Sequence, residues 1–190
     1  MTDVSAQKKA LRASLLAKRA AILPTQKAQM DAAICDRIAA LAAFREADLI
    51  LAFFPVRGEV DLRPLYRLAA ELHIPLAFPR CEGKEMTFHI VAHLDELVPD
   101  RFRIPAPPVG APLAVCTEKT LCLLPGLAAT RGGARLGYGG GFYDRFLATF
   151  GGITLFPVYE GMLLSTLPTE PTDLPVAHIM TEKGEIPRNG

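Results

Sequence analysis

Between Leu123 and Leu147 the chain reads LLPGLAATRGGARLGYGGGFYDRFL, with arginines flanking a run of glycines and an aspartate just beyond. Arg131 and Arg135 carry planar guanidinium forks that match phosphate two bonds at a time. Gly137, Gly139, Gly140 and Gly141 allow a backbone to approach a ligand closely. The apolar start fits a buried strand, and FYDRFL starts an amphipathic helix. The stretch therefore predicts strand, loop and helix N-terminus, an arrangement by which α/β proteins hold phosphate. Gly141 is expected at the N-cap, with Phe142 and Tyr143 opening the helix and Asp144 in its first turn. There a carboxylate either caps the helix against its dipole or holds Mg²⁺ beside a polyphosphate, and the sequence leaves both open. No Gly-Lys-Ser/Thr follows the glycines, so this is not a Walker loop. GxGGG without a well-placed downstream acid is not a dinucleotide fingerprint either.

The elements that must position this loop follow from periodicity. Thr2–Leu23 predicts a helix capped by Thr2 or Asp3, with Val4, Leu11, Leu15 and Ile22 near one stripe. Lys8, Arg12 and Arg19 fall on another face, which is either solvated or reaches over a phosphate site. Pro24 ends that helix, and Thr25–Phe44 predicts a second, with Ile34, Ile38 and Leu41 inward, completing a helical hairpin. Asp48–Phe54 (DLILAFF) predicts a buried parallel strand. The turn after it, PVRGEVD, puts Arg57, the bend at Gly58, and Glu59 at a C-terminal strand edge, where open α/β sheets bind ligands. Glu59 is equally consistent with a surface loop charge. A helix capped by Asp61 follows, through Leu72. Further strands are predicted at Pro75–Pro79, Met86–Val91, Leu121–Leu124, Ile153–Tyr159 and Ala177–Met180. A polar turn over Arg80–Glu85 and a polar tail after Met180 complete the pattern. Proline-rich Arg103–Pro112 predicts an extended surface connector. Helices alternating with apolar strands predict a three-layer α/β fold in a single domain over residues 1–190, with a mostly parallel sheet.

Composition sets bounds. Half of the 190 residues are apolar, enough for one sizeable core. Lys+Arg number 21 against 20 Asp+Glu, so no global field favours nucleic acid or membrane, and an anion site must be local. Cys35, Cys81, Cys116 and Cys122 are dispersed, which suggests neither a zinc site nor a disulfide framework. His89 and His93 sit four apart in strand-like sequence with no third ligand nearby, a poor metal pattern. No apolar run approaches ~18 residues and the N-terminus has no signal-like core, so a soluble cytoplasmic protein is expected.

Four segments together carry a family resemblance. RLGYGGGFYDRFL, preceded by LLPGLA, resembles the signature of 5-formyltetrahydrofolate cyclo-ligase, also called methenyltetrahydrofolate synthetase. KKALR at Lys8–Arg12 is similar to that family's basic nucleotide-binding segment. FFPVRGEVDLRPL at Phe53–Leu65 is similar to its folate-binding turn, and LPTEPTDLPVAHIMTEKG at Leu167–Gly184 to its C-terminal segment. The resemblance implies ATP-dependent closure of 5-formyltetrahydrofolate to 5,10-methenyltetrahydrofolate, by phosphorylation of the formyl oxygen and attack of N10. It implies ATP contacts from Lys8, Lys9, Arg12, Arg135, Leu136, Gly137, Tyr138, Gly139, Gly140, Gly141, Phe142 and Tyr143. It implies catalytic roles for Arg135 and Tyr143, and reduced-folate contacts from Phe54, Glu59, Tyr138 and Phe142. Asp144 would hold Mg²⁺, and a monomer with no nucleic-acid or membrane partner is expected. The chain departs from the family's usual pattern at Thr130, Met162, Thr172 and Ala177. Thr130 and Ala177 stand where carboxylates are usual, and the second is linked to the metal. The departures leave open a diverged nucleotide- or folate-binding homologue without turnover.

Overall fold

A computed structural model describes residues 3–187. Helix α1 is Val4–Ala20, capped by Asp3, whose carboxylate accepts from the Ser5 amide at 3.0 Å; Thr2 lies outside the described residues. α1 stops short of Leu23 because Pro24 holds its predecessor extended (ψ 140°). Pro24 does more than end α1: it is the first residue of α2, Pro24–Ala40. The second predicted helix is broken in two. Leu41 is extended, and a single turn, α3 (Ala42–Arg45), follows. No breaker residue marks this interruption. Local propensity gives way to packing that leaves Phe44 fully buried.

The remaining elements, in chain order, are β1 (Ile50–Leu51), α4 (Arg63–Glu71), β2 (Leu76–Glu82), β3 (Glu85–Val91), β4 (Val98–Pro99), β5 (Pro105–Ala106), β6 (Leu121–Leu123), β7 (Ala128–Thr130), β8 (Arg135–Leu136), α5 (Phe142–Leu147), β9 (Ile153–Pro157), β10 (Leu163–Leu164), β11 (His178–Thr181) and β12 (Gly184–Glu185). The main sheet runs β12-β11-β9-β6-β1-β2-β3. Its five inner strands are parallel, and β3 and β12 pair antiparallel at the two edges. Five of the six apolar runs predicted as strands are these inner strands, mostly buried as a parallel sheet covered on both faces requires, and the sixth, Met86–Val91, is edge strand β3. On one face Tyr66 of α4 packs edge-on against Phe78, 5.4 Å between centroids. Phe88 pairs with Pro79 and so points to the other face, where it meets Phe146 of α5 at 4.9 Å. The result is the predicted α/β layering.

Several local predictions change. Arg80–Glu82 is not a turn but continues β2, because β3 pairs with it to the end and the reversal tightens to two residues at Gly83 (φ 59°). The proline-rich connector contains β5, which pairs with β4 in a small hairpin. The polar tail contains edge strand β12. Between β6 and the glycines lies a β7–β8 hairpin, joined by β10 into a three-stranded sheet. The loop therefore does not leave the central strand directly.

From β1 the chain winds one way to β2, and from β6 it winds the other way to β9 and β11. Between β1 and β6 the sheet thus has a topological switch point, with the chain diverging beyond their C-terminal ends.

Candidate active site

Beyond β1, the Ala52 amide still reaches the Ala77 carbonyl at 2.8 Å, but the Phe53 carbonyl is taken by the Tyr66 hydroxyl at 2.6 Å. The strand therefore ends earlier than its apolar run. The turn that follows uses left-handed backbone at Arg57 (φ 51°) and Gly58 (φ 74°). This folds Glu59 back, so that one carboxylate oxygen accepts from the Val56 amide at 2.9 Å. Glu59 is only 5% exposed, which excludes the surface-charge reading. Its other oxygen is buried with no hydrogen-bond partner. Burial raises its pKa, against the pull of the Val56 amide, Tyr138 and the Arg19 cation.

The second wall starts at β8. Thr130 closes the β7–β8 hairpin: its amide donates to the Ala134 carbonyl at 2.9 Å, and its hydroxyl accepts from the Ala134 amide at 3.3 Å. Arg131 sits at that hairpin's exposed end against Glu160, 3.4 Å away, so although it flanks the glycines in sequence it does not line the space beside them. Arg135 turns inward, its side chain 3% exposed. It donates to the Pro125 carbonyl at 2.9 Å and to Asp144 at 3.0 Å, bracing β6's exit and α5 against the glycine loop. Its Nε is buried without a partner. Gly139 (φ 94°) and Gly141 (φ 65°) adopt backbone that L-residues avoid, and Gly141 is the N-cap of α5. Tyr143 lies beneath the Arg135 guanidinium, with its hydroxyl buried and unpartnered and its pKa pushed well up by burial. Leu136 is buried behind the loop.

α1 spans both walls with its basic face. Lys8 and Arg19 are buried in spite of their charge, so this face is not solvated. Lys8 ion-pairs with Glu170 and Asp173, both at 2.6 Å. Burial alone would lower its pKa, but the two carboxylates outweigh that and hold it above its ordinary value. Arg12 donates to the Gly137 carbonyl at 2.9 Å and lies over Gly139. Lys9, next to Lys8 on α1, is exposed.

These walls enclose a cleft of about 470 Å³, within the range of small-molecule sites. Phe54, Glu59, Arg135, Gly137–Gly141, Phe142, Tyr143 and Asp144 all line it. So do Asp100, Phe102 and Arg103 of the β4–β5 hairpin, which sequence reasoning assigned to a surface connector or did not single out. Two signals were present. Asp100 accepts from the Phe102 and Ile104 amides at 2.7 and 2.9 Å, a turn that an Asp at the head of DRFRIP favours. Phe102 also keeps an aromatic face 56% exposed at the rim.

Among the described residues no three His, Cys, Asp or Glu side chains cluster as a metal cage. His89 spends its ring on the Ala111 carbonyl and the Thr87 hydroxyl. Asp144 gives one oxygen to Arg135, and its other has no hydrogen bond among the described residues. Of the carboxylates lining the cleft, Asp100 is committed to its own turn and Glu59 is buried on the other wall, so Asp144 fits Mg²⁺ carried mainly by phosphates and water, and the set does not fit an all-protein site. Of the four departures, Met162 is buried in a small void shared with Glu59, Arg19 and Tyr159, and Thr172 is exposed. The Ala177 amide donates to the Thr154 hydroxyl at 2.8 Å.

Known proteins resemble this chain in sequence and in fold. The 5-formyltetrahydrofolate cyclo-ligase of Escherichia coli K12 is 27% identical over 172 residues, 86% of this chain and 94% of that one. The NMR structure of 5,10-methenyltetrahydrofolate synthetase from Aquifex aeolicus superposes with a TM-score of 0.85 at 28% identity, covering 96% of this chain and 93% of that one. The corresponding Mycoplasma pneumoniae protein shares the fold, with a TM-score of 0.70 at 22% identity, 92% of this chain and 98% of that one. A model described as the 5-formyltetrahydrofolate cyclo-ligase family matches residues 4–182. A match over nearly the whole chain, taking in both walls of the cleft and the helix that spans them, places this protein in the 5-formyltetrahydrofolate cyclo-ligase family.

Proposed function

We propose that the protein catalyses ATP-dependent cyclisation of 5-formyltetrahydrofolate to 5,10-methenyltetrahydrofolate, releasing ADP and phosphate. The observation that carries this reading is a shared cleft at the switch point, with a buried acceptor on one wall and a glycine loop under basic side chains on the other. Two ligands that exchange a phosphoryl group need such a shared space. In this reading Arg12, Lys8 and Lys9 of α1 and the Leu136–Tyr143 loop take the polyphosphate. Phe54, Tyr138, Phe142 and Glu59 take the reduced folate.

The formyl oxygen attacks the γ-phosphorus as the bond to the ADP oxygen breaks. N10 then attacks the formyl carbon and gives up its proton to the departing phosphate, as the C–O bond breaks. No covalent protein nucleophile is needed; positioning and charge neutralisation are. Glu59 accepts from a donor of the folate and fixes its orientation. Arg135 and Tyr143 hold the loop against the transferring group. Mg²⁺, held through Asp144, supplies charge neutralisation when bound. The protein acts as a monomer of one domain in the cytoplasm.

A second reading, a nucleotide- or folate-binding homologue without turnover, is favoured by one observation. Ala177 offers no carboxylate, and Asp173 is already committed to Lys8. Purified protein with 5-formyltetrahydrofolate and MgATP, followed by methenyl absorbance, separates the two. Product formation is expected. Absence of product while ATP still raises the melting temperature selects the second reading.

A further inference from the structure

We propose that Arg19 is a positioning residue that holds the two walls of the cleft in register, so that the acceptor turn and the glycine loop move as one unit. Arg19 is 5% exposed and lies on α1, outside both walls. Its guanidinium reaches three separate segments. Nε donates to the Arg57 carbonyl at 2.9 Å, in the turn after β1. One terminal nitrogen donates to the Gly126 carbonyl at 2.8 Å, just beyond β6. The other donates to the Tyr138 hydroxyl at 2.5 Å, in the glycine loop. Two cations also approach the Tyr138 ring, with the Arg19 and Arg57 guanidinium carbons 5.9 and 5.5 Å from its centroid.

Among the described residues no carboxylate lies within ion-pair distance of Arg19. A buried cation that spends its donors on two carbonyls and a phenol is a costly way to fill space, and an apolar side chain would do that alone. What the planar fork supplies is direction: three donors at fixed angles fix three acceptors relative to one another. The acceptors belong to the two sides of the switch point and to the loop over it. Glu59 shares a small void with Arg19, and the Arg19 cation helps to keep it ionised. A single side chain thus sets the distance between the loop and the buried acceptor.

The inference rests on the two-ligand reading above for its kinetic consequence, but not for its structural one. The test compares wild type with Arg19→Lys, which keeps the charge but loses the fork, and Arg19→Met, which keeps only the length. Hydrogen exchange is measured first, over peptides covering residues 55–59 and 137–141. Both segments are expected to lose protection together in both variants, by about ten-fold or more, and more in Arg19→Met. Exchange that changes only in α1, or in one wall only, overturns the proposal whatever ligand the cleft takes. Turnover is measured second. Arg19→Lys is expected to lower kcat by about 10- to 100-fold, with KM for folate and for MgATP each within about three-fold, as misplacement of bound reactants does. A loss confined to KM, a wild-type kcat, or a loss that tracks the melting temperature alone also overturns it. If wild type forms no methenyl product, the cyclisation reading fails, and the Arg19 proposal stands or falls on the exchange result.

Discussion

Glu59 has one oxygen satisfied by Val56 and one with nothing to accept from, in a site where nearly all of the residue is out of water. A buried unsatisfied acceptor costs stability, and its retention in a cleft marks a place for a ligand donor. The pH dependence follows from the sign of the shift. Burial raises the Glu59 pKa. Between the ordinary carboxylate value and the raised one, the native state holds a proton that the unfolded chain has released. Stability therefore falls as pH rises through that window, and the full penalty persists above it. Glu59→Gln is expected to raise the melting temperature at pH 8. The gain vanishes near pH 4, below the usual unfolded value of ~4.3. The same change is expected to lower kcat/KM by about 10- to 100-fold, the worth of one hydrogen bond to a charged group at about 1.5–3 kcal/mol. Melts at the two pH values and a kcat/KM–pH profile check this. A melting temperature that drops at pH 8 would show that the ionised carboxylate is satisfied after all. The acid limb of the wild-type profile, displaced above the ordinary carboxylate range, is expected to disappear in the variant.

At the level of elements, the glycine loop is held in shape by backbone that only glycine adopts cheaply. At Gly139 a Cβ would stand 3.1 Å from the Arg12 guanidinium carbon, at a φ of 94°. Gly139→Ala therefore combines left-handed strain of roughly 1–2 kcal/mol with displacement of Arg12 from the loop. Nucleotide affinity by calorimetry is expected to fall by about ten-fold, while folate binding changes little; equal losses for both ligands would mean that the whole cleft is disturbed. The loop, the Glu59 turn and the buried strands were legible because each leaves a local mark. The strands are continuous apolar runs, and the loop and turn concentrate glycine and arginine. Other elements leave no such mark. β7 and β8 hold two or three residues each, too few for a period, and their pairing is set by the Thr130 turn. The β4–β5 hairpin contains Pro99 and Pro105, which argue locally against a strand although both sit where edge pairing tolerates them. Arg19 had a visible place on the basic face of α1. Its partners lie up to 119 residues away, and no spacing rule connects them. Arg131 shows the converse error: residue type and proximity in sequence suggested a phosphate ligand, and the hairpin turned it away from the cleft.

Across the whole molecule, α1 ties the start of the chain to its end. Lys8 is buried between Glu170 and Asp173, next to the C-terminal segment that leads into β11, while Arg12 four residues on touches the glycine loop. If Lys8 serves a nucleotide, it must exchange carboxylates for phosphates, so the internal pair competes with the ligand for one ammonium. The competitor can be weakened without touching the cleft. Glu170 is 47% exposed on its side chain, so solvent screens its half of the pair. Its removal costs only ~0.5–1 kcal/mol, a fall of about 1–4 °C in melting temperature for a chain of this size. Asp173 stays in place and keeps the ammonium from being left unpaired, which would be far more damaging. Glu170→Gln is thus expected to destabilise the ligand-free protein slightly while tightening nucleotide binding by about two- to five-fold. Raising ionic strength should shrink the stability difference, because the pair is partly exposed. Calorimetric titration with a non-hydrolysable ATP analogue, alongside melts of the ligand-free protein at low and high salt, measures both effects. Opposite signs for stability and affinity are the signature of a shared cation. An affinity that falls with stability, or does not change, would show that Lys8 stays with its carboxylates and that the nucleotide is held by Arg12 and the loop alone.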